Sequence, residues 1–189
     1  PGAPLEIRCA WGANNNYCFT TTALTSKIWL IYEDDNGEWQ GKAVADIGDA
    51  SKVPLPVDIS ITSDDQGLWV DTFMDGKARY FDISDPFNPV QKYEETIGSQ
   101  VNMISQSWDG KRAYFSTSLL GNWDKTGDAD EQWVKLYEWD DESLELSHKW
   151  TVDFYKEKLG RAHQMRFGAY SLYSSKSESN KKEVTLLDK

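Results

Sequence analysis

Two histidines and two cysteines are all that 189 residues offer as imidazole or thiol groups. With His148 and His163 alone, no Ser/His/Asp or Cys/His catalytic set can be assembled from spacing. Cys9 and Cys18 form no close C-x-x-C motif and have no histidine nearby, which disfavours a zinc or copper site built from them. No apolar run approaches the ~18 residues of a membrane-spanning helix, so no membrane partner is expected. No long block of one charge is present either. The 31 acidic residues outnumber 20 basic ones, for a net charge of -11. Such a surface repels phosphate backbones and lacks the counterion-release contribution that drives most nucleic-acid binding, so a DNA or RNA partner is excluded. The chain starts Pro-Gly-Ala-Pro, with no basic and apolar leader to read.

What the sequence does have is aromatic residues, 9 Trp, 9 Tyr and 7 Phe, spread over short alternating stretches. The most informative runs from Asn102 to Lys125. It reads as strands at Met103 to Gln106 and Arg112 to Thr117, joined by the turn Trp108-Asp109-Gly110-Lys111, where Gly110 supplies the positive φ of a tight hairpin. A shift of 45 residues lays Ile59-Ser60 on Ile104-Ser105, Asp64 on Asp109, Leu68-Trp69-Val70 on Ala113-Tyr114-Phe115, and Thr72 on Thr117. That period, with a turn aspartate and an aromatic strand in each copy, marks a β-propeller blade. The fold class is therefore all-β.

Blade boundaries follow from the punctuation. Residues 1–50 hold strands at Leu5 to Cys9, Tyr17 to Thr22, Lys27 to Tyr32 and Glu38 to Val44, with a turn at Asp34-Asp35-Asn36-Gly37. After the Pro54 and Pro56 connector, residues 53–97 hold strands at Val57 to Ile61, Gly67 to Thr72, Lys77 to Ile83 and near Val90 to Glu94. Residues 98–159 hold the organising hairpin, then Gln132 to Trp139 and Lys149 to Phe154, with an insertion at 121–131. A partial blade is expected at 160–173, opening on Ala162 to Gly168. Residues 174–189 read as a polar tail, with 184–187 able to close a sheet edge. Three blades and the start of a fourth make an open arc with uncovered faces, so another segment or chain is expected to complete the ring.

If Leu5 to Cys9 pairs with Tyr17 to Thr22, the two thiols stand opposite each other. They then either bridge, as suits an oxidising compartment, or remain two buried free thiols. The stretch Asp124 to Glu131 offers oxygen ligands at alternating positions, as a calcium loop does. It lacks the glycine placement and distant glutamate of an EF-hand, which favours a solvated acidic loop.

Several motifs together resemble the C-terminal half of the selenium-binding protein family, which includes bacterial methanethiol oxidases. They are Ala23-Leu24-Thr25-Ser26-Lys27-Ile28-Trp29, Asp58-Ile59-Ser60 with Ser63-Asp64-Asp65, and Arg79 to Pro86. Asp109-Gly110-Lys111-Arg112 with Thr117-Ser118-Leu119, Trp123-Asp124-Lys125 and Ala162 to Phe167 complete the set. The resemblance implies a seven-bladed propeller whose N-terminal half lies elsewhere. It also implies copper-dependent oxidation of a small thiol by O2 to an aldehyde, hydrogen sulfide and hydrogen peroxide, in the periplasm, with the cytoplasm as the alternative. His163 stands at the start of a motif shared with the family, on an inner strand facing the channel. There it is either a copper ligand or a hydrogen-bonded wall residue. His148 reads as surface. Two departures support an alternative, a non-catalytic binding propeller. Asp75 stands where family members often carry the histidine of Trp-Leu-His-Gly, and Gly168 to Tyr173 replaces Gly-Gly-Asp-Cys-Ser-Ser.

Overall fold

The computed structural model describes residues 2–117 and 132–165. Twelve strands form three antiparallel sheets of four, each in simple chain order. Blade 1 is β1 (Pro4–Cys9), β2 (Tyr17–Thr22), β3 (Lys27–Glu33) and β4 (Trp39–Asp46). Blade 2 is β5 (Pro56–Ile61), β6 (Gly67–Thr72), β7 (Lys77–Asp82) and β8 (Val90–Thr96). Blade 3 is β9 (Val101–Gln106), β10 (Arg112–Thr117), β11 (Trp133–Asp140) and β12 (Glu145–Asp153). The first strands of the blades, β1, β5 and β9, pack side by side and form the inner wall.

The expected Lys149 start of the last strand needs correction, because β12 begins at Glu145. Outer strands meet water on much of their surface, so Glu145-Leu-Ser-His carries little of the alternation that marks a half-buried strand. The segment 161–165 has no regular structure but lies along blade 3, where Ser116 Oγ donates to His163 O and Ser105 Oγ to Met165 O. The expected partial blade beyond residue 165, the insertion with its calcium-loop candidate at 124–131, and the 174–189 tail lie outside the described residues. Among the described residues no helix is long and apolar enough to cross a membrane.

The repeat is written in hydrogen bonds as well as in residue types. In blade 2, Thr62 Oγ1 receives the Gly67 N–H at 2.8 Å and donates to Asp64 Oδ1; in blade 3, Ser107 Oγ receives the Arg112 N–H at 3.0 Å and donates to Asp109 Oδ1. Each turn thus closes through a hydroxyl and an aspartate. Ile47 N donates to Ser26 O and Ile97 N to Gly76 O, tying the exit of each blade to its central turn. The residue before each inner strand is left-handed, with φ of 51° at Ala3, 61° at Leu55 and 54° at Gln100.

Apolar packing lies between the sheets. Every residue of β6 is buried, and its two faces serve two seams. Leu68 and Val70 join Phe19, Ile28, Leu30 and Ile59 against blade 1. Trp69 points the other way, into a cluster with Ile104, Phe115, Tyr137 and Trp139 of blade 3. Its ring centroid lies 4.8 Å from Trp139, 5.0 Å from Tyr80 and 5.9 Å from Phe115. Flat aromatic rings fill a wedge-shaped gap that widens outward, which is why this sequence spends so many of them. By contrast, Leu5 and Ile7 point away from blade 2 and are half exposed, so blade 1 ends the described arc on an uncovered apolar face.

Trp69→Ala would empty the centre of the seam between blades 2 and 3 and cost about 3–5 kcal/mol. Denaturant unfolding of the full-length protein should show the loss as a lower midpoint, whereas Trp39→Ala on the exposed edge should change it little.

Candidate functional site

The inner wall is polar where three strands converge. Asp58, in the middle of β5, is buried and accepts hydrogen bonds from three directions. Its Oδ2 receives the Ile104 N–H of β9 at 3.0 Å, and Oδ1 receives its neighbour Ile59 N–H at 2.9 Å and Arg8 Nη2 of β1 at 3.3 Å. One carboxylate therefore joins all three inner strands. Behind it, Asp71 of β6 accepts the Asp58 N–H on Oδ1 at 2.8 Å, while its Oδ2, fully buried, has no hydrogen-bond partner among the described residues.

Burial raises the pKa of both carboxyls. For Asp58, loss of solvent is opposed by the Ile104 N–H, the Arg8 guanidinium, the Ile59 N–H and the His163 imidazole. Asp71 is pushed well above the ordinary carboxyl value, by loss of solvent first and by the neighbouring Asp58 charge second. The pair can thus hold a proton at pH values where an exposed carboxyl cannot. Arg8 supplies a permanent positive charge, and its other amino group pairs with Glu6.

The structure brings His163 to this cluster, close enough for its charge to act on Asp58. The side chain is exposed, on the segment that Ser116 and Ser105 pin to blade 3. His148 stands on exposed β12, next to Thr151 Oγ1 at 2.9 Å and against the Tyr137 ring, away from the inner wall. Cys9 and Cys18 face each other across the β1–β2 pair and are joined as a disulfide. The loop between them is held from blade 2 by Asp65, which accepts from Trp11 N at 2.7 Å, Gly12 N at 2.8 Å and Asn15 Nδ2 at 2.7 Å. Asp75, at the position of the family histidine, is committed elsewhere: it pairs with the buried Arg79, which also binds Glu94 and Thr72.

Copper binding by these residues alone meets a chemical objection. Among the described residues no three His, Cys, Asp or Glu side chains converge as a metal site. The donors nearest His163 are hard carboxylate oxygens already bonded to N–H groups, and the two sulfurs are paired with each other. The described residues do not make a copper centre.

Arg8, Asp58 and Asp71 escaped sequence reasoning. The available signal was a single charge set inside each of two apolar strands, Pro-Val-Asp-Ile-Ser-Ile and Leu-Trp-Val-Asp-Thr-Phe. A lone charge between buried neighbours needs a partner, and nothing local supplies one.

Three radially arranged four-stranded sheets, with their first strands lining a common wall, define a sector of a β-propeller. The chain belongs to the 56 kDa selenium-binding protein family, whose model matches residues 2–174. It is 66% identical over 93% of its length to a methanethiol oxidase of Ruegeria pomeroyi, and 57% identical over 89% to one of Hyphomicrobium. A human methanethiol oxidase is 30% identical over 87% of the chain. The chain spans about two fifths of the length of these relatives, 40%, 38% and 45% respectively. Among solved structures, a hypothetical selenium-binding protein of Sulfolobus tokodaii superposes with a TM-score of 0.67 at 26% identity, over 80% of this chain and 41% of that one. The periplasmic gluconolactonase of Pseudomonas aeruginosa shares the fold, with a TM-score of 0.64 at 13% identity over 81% of this chain and 40% of that one.

A carboxyl whose pKa is raised by folding binds its proton more tightly in the folded state than in the unfolded one. Its contribution to stability is therefore present below the unfolded value of 3.8 and is lost as pH rises through the folded value. Asp71→Asn keeps an acceptor for the Asp58 N–H and removes the charge. It should raise the unfolding midpoint at pH 8 more than at pH 5 in paired thermal melts.

Proposed function

We propose that this chain is one sector of a methanethiol oxidase-like oxidoreductase, with its inner wall contributing to the site where a small thiol is oxidised. The observation that carries the reading is the 66% identity, spread over 93% of the chain, to a protein named methanethiol oxidase. The proposed reaction takes one molecule each of methanethiol, dioxygen and water to one each of formaldehyde, hydrogen sulfide and hydrogen peroxide, which balances in every atom. Carbon is oxidised and dioxygen is reduced to peroxide.

In this reading the rest of the propeller comes from a segment or partner chain outside the sequence. Three blades over two fifths of a relative's length scale to about seven in the whole ring. The apolar face at Leu5 and Ile7 is where the preceding blade would pack. Copper, with its other ligands drawn from the remainder of the ring, would supply the one-electron chemistry that O2 requires, and His163 is the imidazole this sector would contribute. Arg8 orients Asp58 and Asp58 faces His163, while Asp71 offers a carboxyl able to hold a proton beside them. The paired cysteines support a periplasmic setting, since such a bond persists where thiols are oxidised.

The second reading, a non-catalytic binding propeller, is favoured by one observation. Asp75, in place of the family histidine, is committed to an ion pair with buried Arg79.

Copper analysis and peroxide assays on the full-length protein separate the two. The oxidase reading expects methanethiol-dependent release of hydrogen peroxide and hydrogen sulfide, with copper content and turnover both falling in His163→Ala. Unchanged copper in that variant removes His163 from the metal site, and copper-loaded protein that forms no peroxide establishes the binding module.

A further inference from the structure

The seam between blades 2 and 3 has a second polar end, away from His163. There the β5–β6, β9–β10 and β11–β12 turns line a half-open pocket of about 120 Å3, roughly the room of four water molecules. Tyr80 and Trp139 line it from below, with Asp64, Asp109 and Asp141 around them and Lys111 at the rim.

Tyr80 is only 9% exposed, yet its hydroxyl makes no hydrogen bond among the described residues. The indole Nε1–H of Trp139, 5% exposed, likewise has no acceptor among them. The Trp139 Nε1–H is sealed from the pocket, so the Tyr80 hydroxyl is the polar tip of a nearly buried ring that stands unpartnered at the pocket wall. The carboxylates are half used. Asp64 Oδ1 takes Thr62 Oγ1 and Gln66 N, and Asp109 Oδ1 takes Ser107 Oγ and Lys111 N. Their second oxygens, and the whole Asp141 carboxylate, have no hydrogen-bond partner among the described residues. Burial, then the charges of Asp64, Asp141 and Asp82, push the Tyr80 hydroxyl up to about 12, so it remains a donor throughout the physiological range. Space for that hydroxyl comes from Gly67, where a Cβ would stand 2.0 Å from the Tyr80 oxygen. The matching position of blade 3 carries Arg112.

We propose that this pocket binds a small protonated amine that also carries a hydrogen-bond acceptor, with its ammonium among Asp64, Asp109 and Asp141 and its acceptor atom on the Tyr80 hydroxyl. A bare metal ion fits less well, because the Tyr80 O–H in the wall presents a hydrogen. Such a hydrogen suits an oxygen lone pair and repels a cation. An uncharged alcohol would leave the carboxylates without a counter-ion. Lys111 stands near Asp109 and Asp140 and leaves the pocket rim net negative. The aromatic block of Trp69, Phe115 and Trp139 separates this pocket from the Asp58–His163 wall, so the inference holds whether or not the thiol-oxidase reading does.

The test is calorimetric titration of the full-length protein at neutral pH with ethanolamine, n-propylamine and ethylene glycol. Ethanolamine should bind saturably, propylamine about five-fold more weakly for want of the hydroxyl contact, and ethylene glycol not at all. Tyr80→Phe should abolish the difference between the two amines, and Asp141→Asn, on an exposed turn, should weaken both. Calcium binding without amine binding would overturn the proposal. So would equal affinity for ethanolamine and propylamine in the unmutated protein, or unchanged amine affinity in Asp141→Asn. Thiol oxidation lost in His163→Ala with ethanolamine binding intact would mark the two sites as separate.

Discussion

A blade of this protein is a thin sheet with two apolar faces, and everything else follows from the need to cover both. Blade 2 shows the requirement met. Leu68 and Val70 lie against blade 1 and Trp69 against blade 3, so that no residue of β6 touches water. Apolar burial is the main source of stability in such a fold, and here it lies in the seams between sheets, outside any single sheet. A blade alone would expose half of its core. Leu5 and Ile7 show the same requirement unmet at the end of the arc, which is why the chain makes physical sense only as part of a larger ring.

The seams determine where chemistry can be placed. Aromatic packing fills their middle and excludes water, leaving the inner wall and the turn ends for polar groups. Asp58 exploits the inner position. By accepting from Ile104 N and Arg8 while its own N–H goes to Asp71, it replaces apolar contact with directed bonds between three strands. Burying two carboxylates side by side is unfavourable, and one guanidinium within reach of only one of them offsets this in part. That tension is what supports the proposed site at this wall, because an apolar pair would hold the strands at lower cost.

The propeller was legible because its repeat is local. In blades 2 and 3 a hydroxyl, an aspartate and a residue of positive φ, Asp65 or Gly110, close the first hairpin, and the 45-residue shift aligns them. The inner strands were equally visible, since they alternate over short buried runs. The start of β12 was not, because a strand wetted on its outer side has no reason to alternate. His163 could be directed to the inner wall by its place at the opening of a motif shared with the selenium-binding family. Its neighbours could not, for Arg8, Asp58 and Asp71 meet only when three blades close, and no spacing within one blade reports that. Asp75 gave the opposite lesson. A substitution read as loss of a functional histidine proves to be the half-exposed partner of the buried Arg79, four residues on.

The two polar ends of the blade 2–blade 3 seam differ in kind because their backbones differ. At the inner end, strand N–H groups converge on Asp58 and Asp71 and take three of their four carboxylate oxygens, leaving Asp71 Oδ2 without a hydrogen-bond partner among the described residues. At the turn end, each hairpin satisfies its own backbone with one oxygen of its aspartate and leaves the other without a hydrogen-bond partner among the described residues. Repetition of the same turn in adjacent blades then sets Asp64 and Asp109 on one rim without any further design, and Gly67 admits a tyrosine hydroxyl between them. A ligand pocket can therefore arise as a by-product of blade geometry, while the inner wall requires residues, Arg8 and His163 among them, that the repeat does not provide.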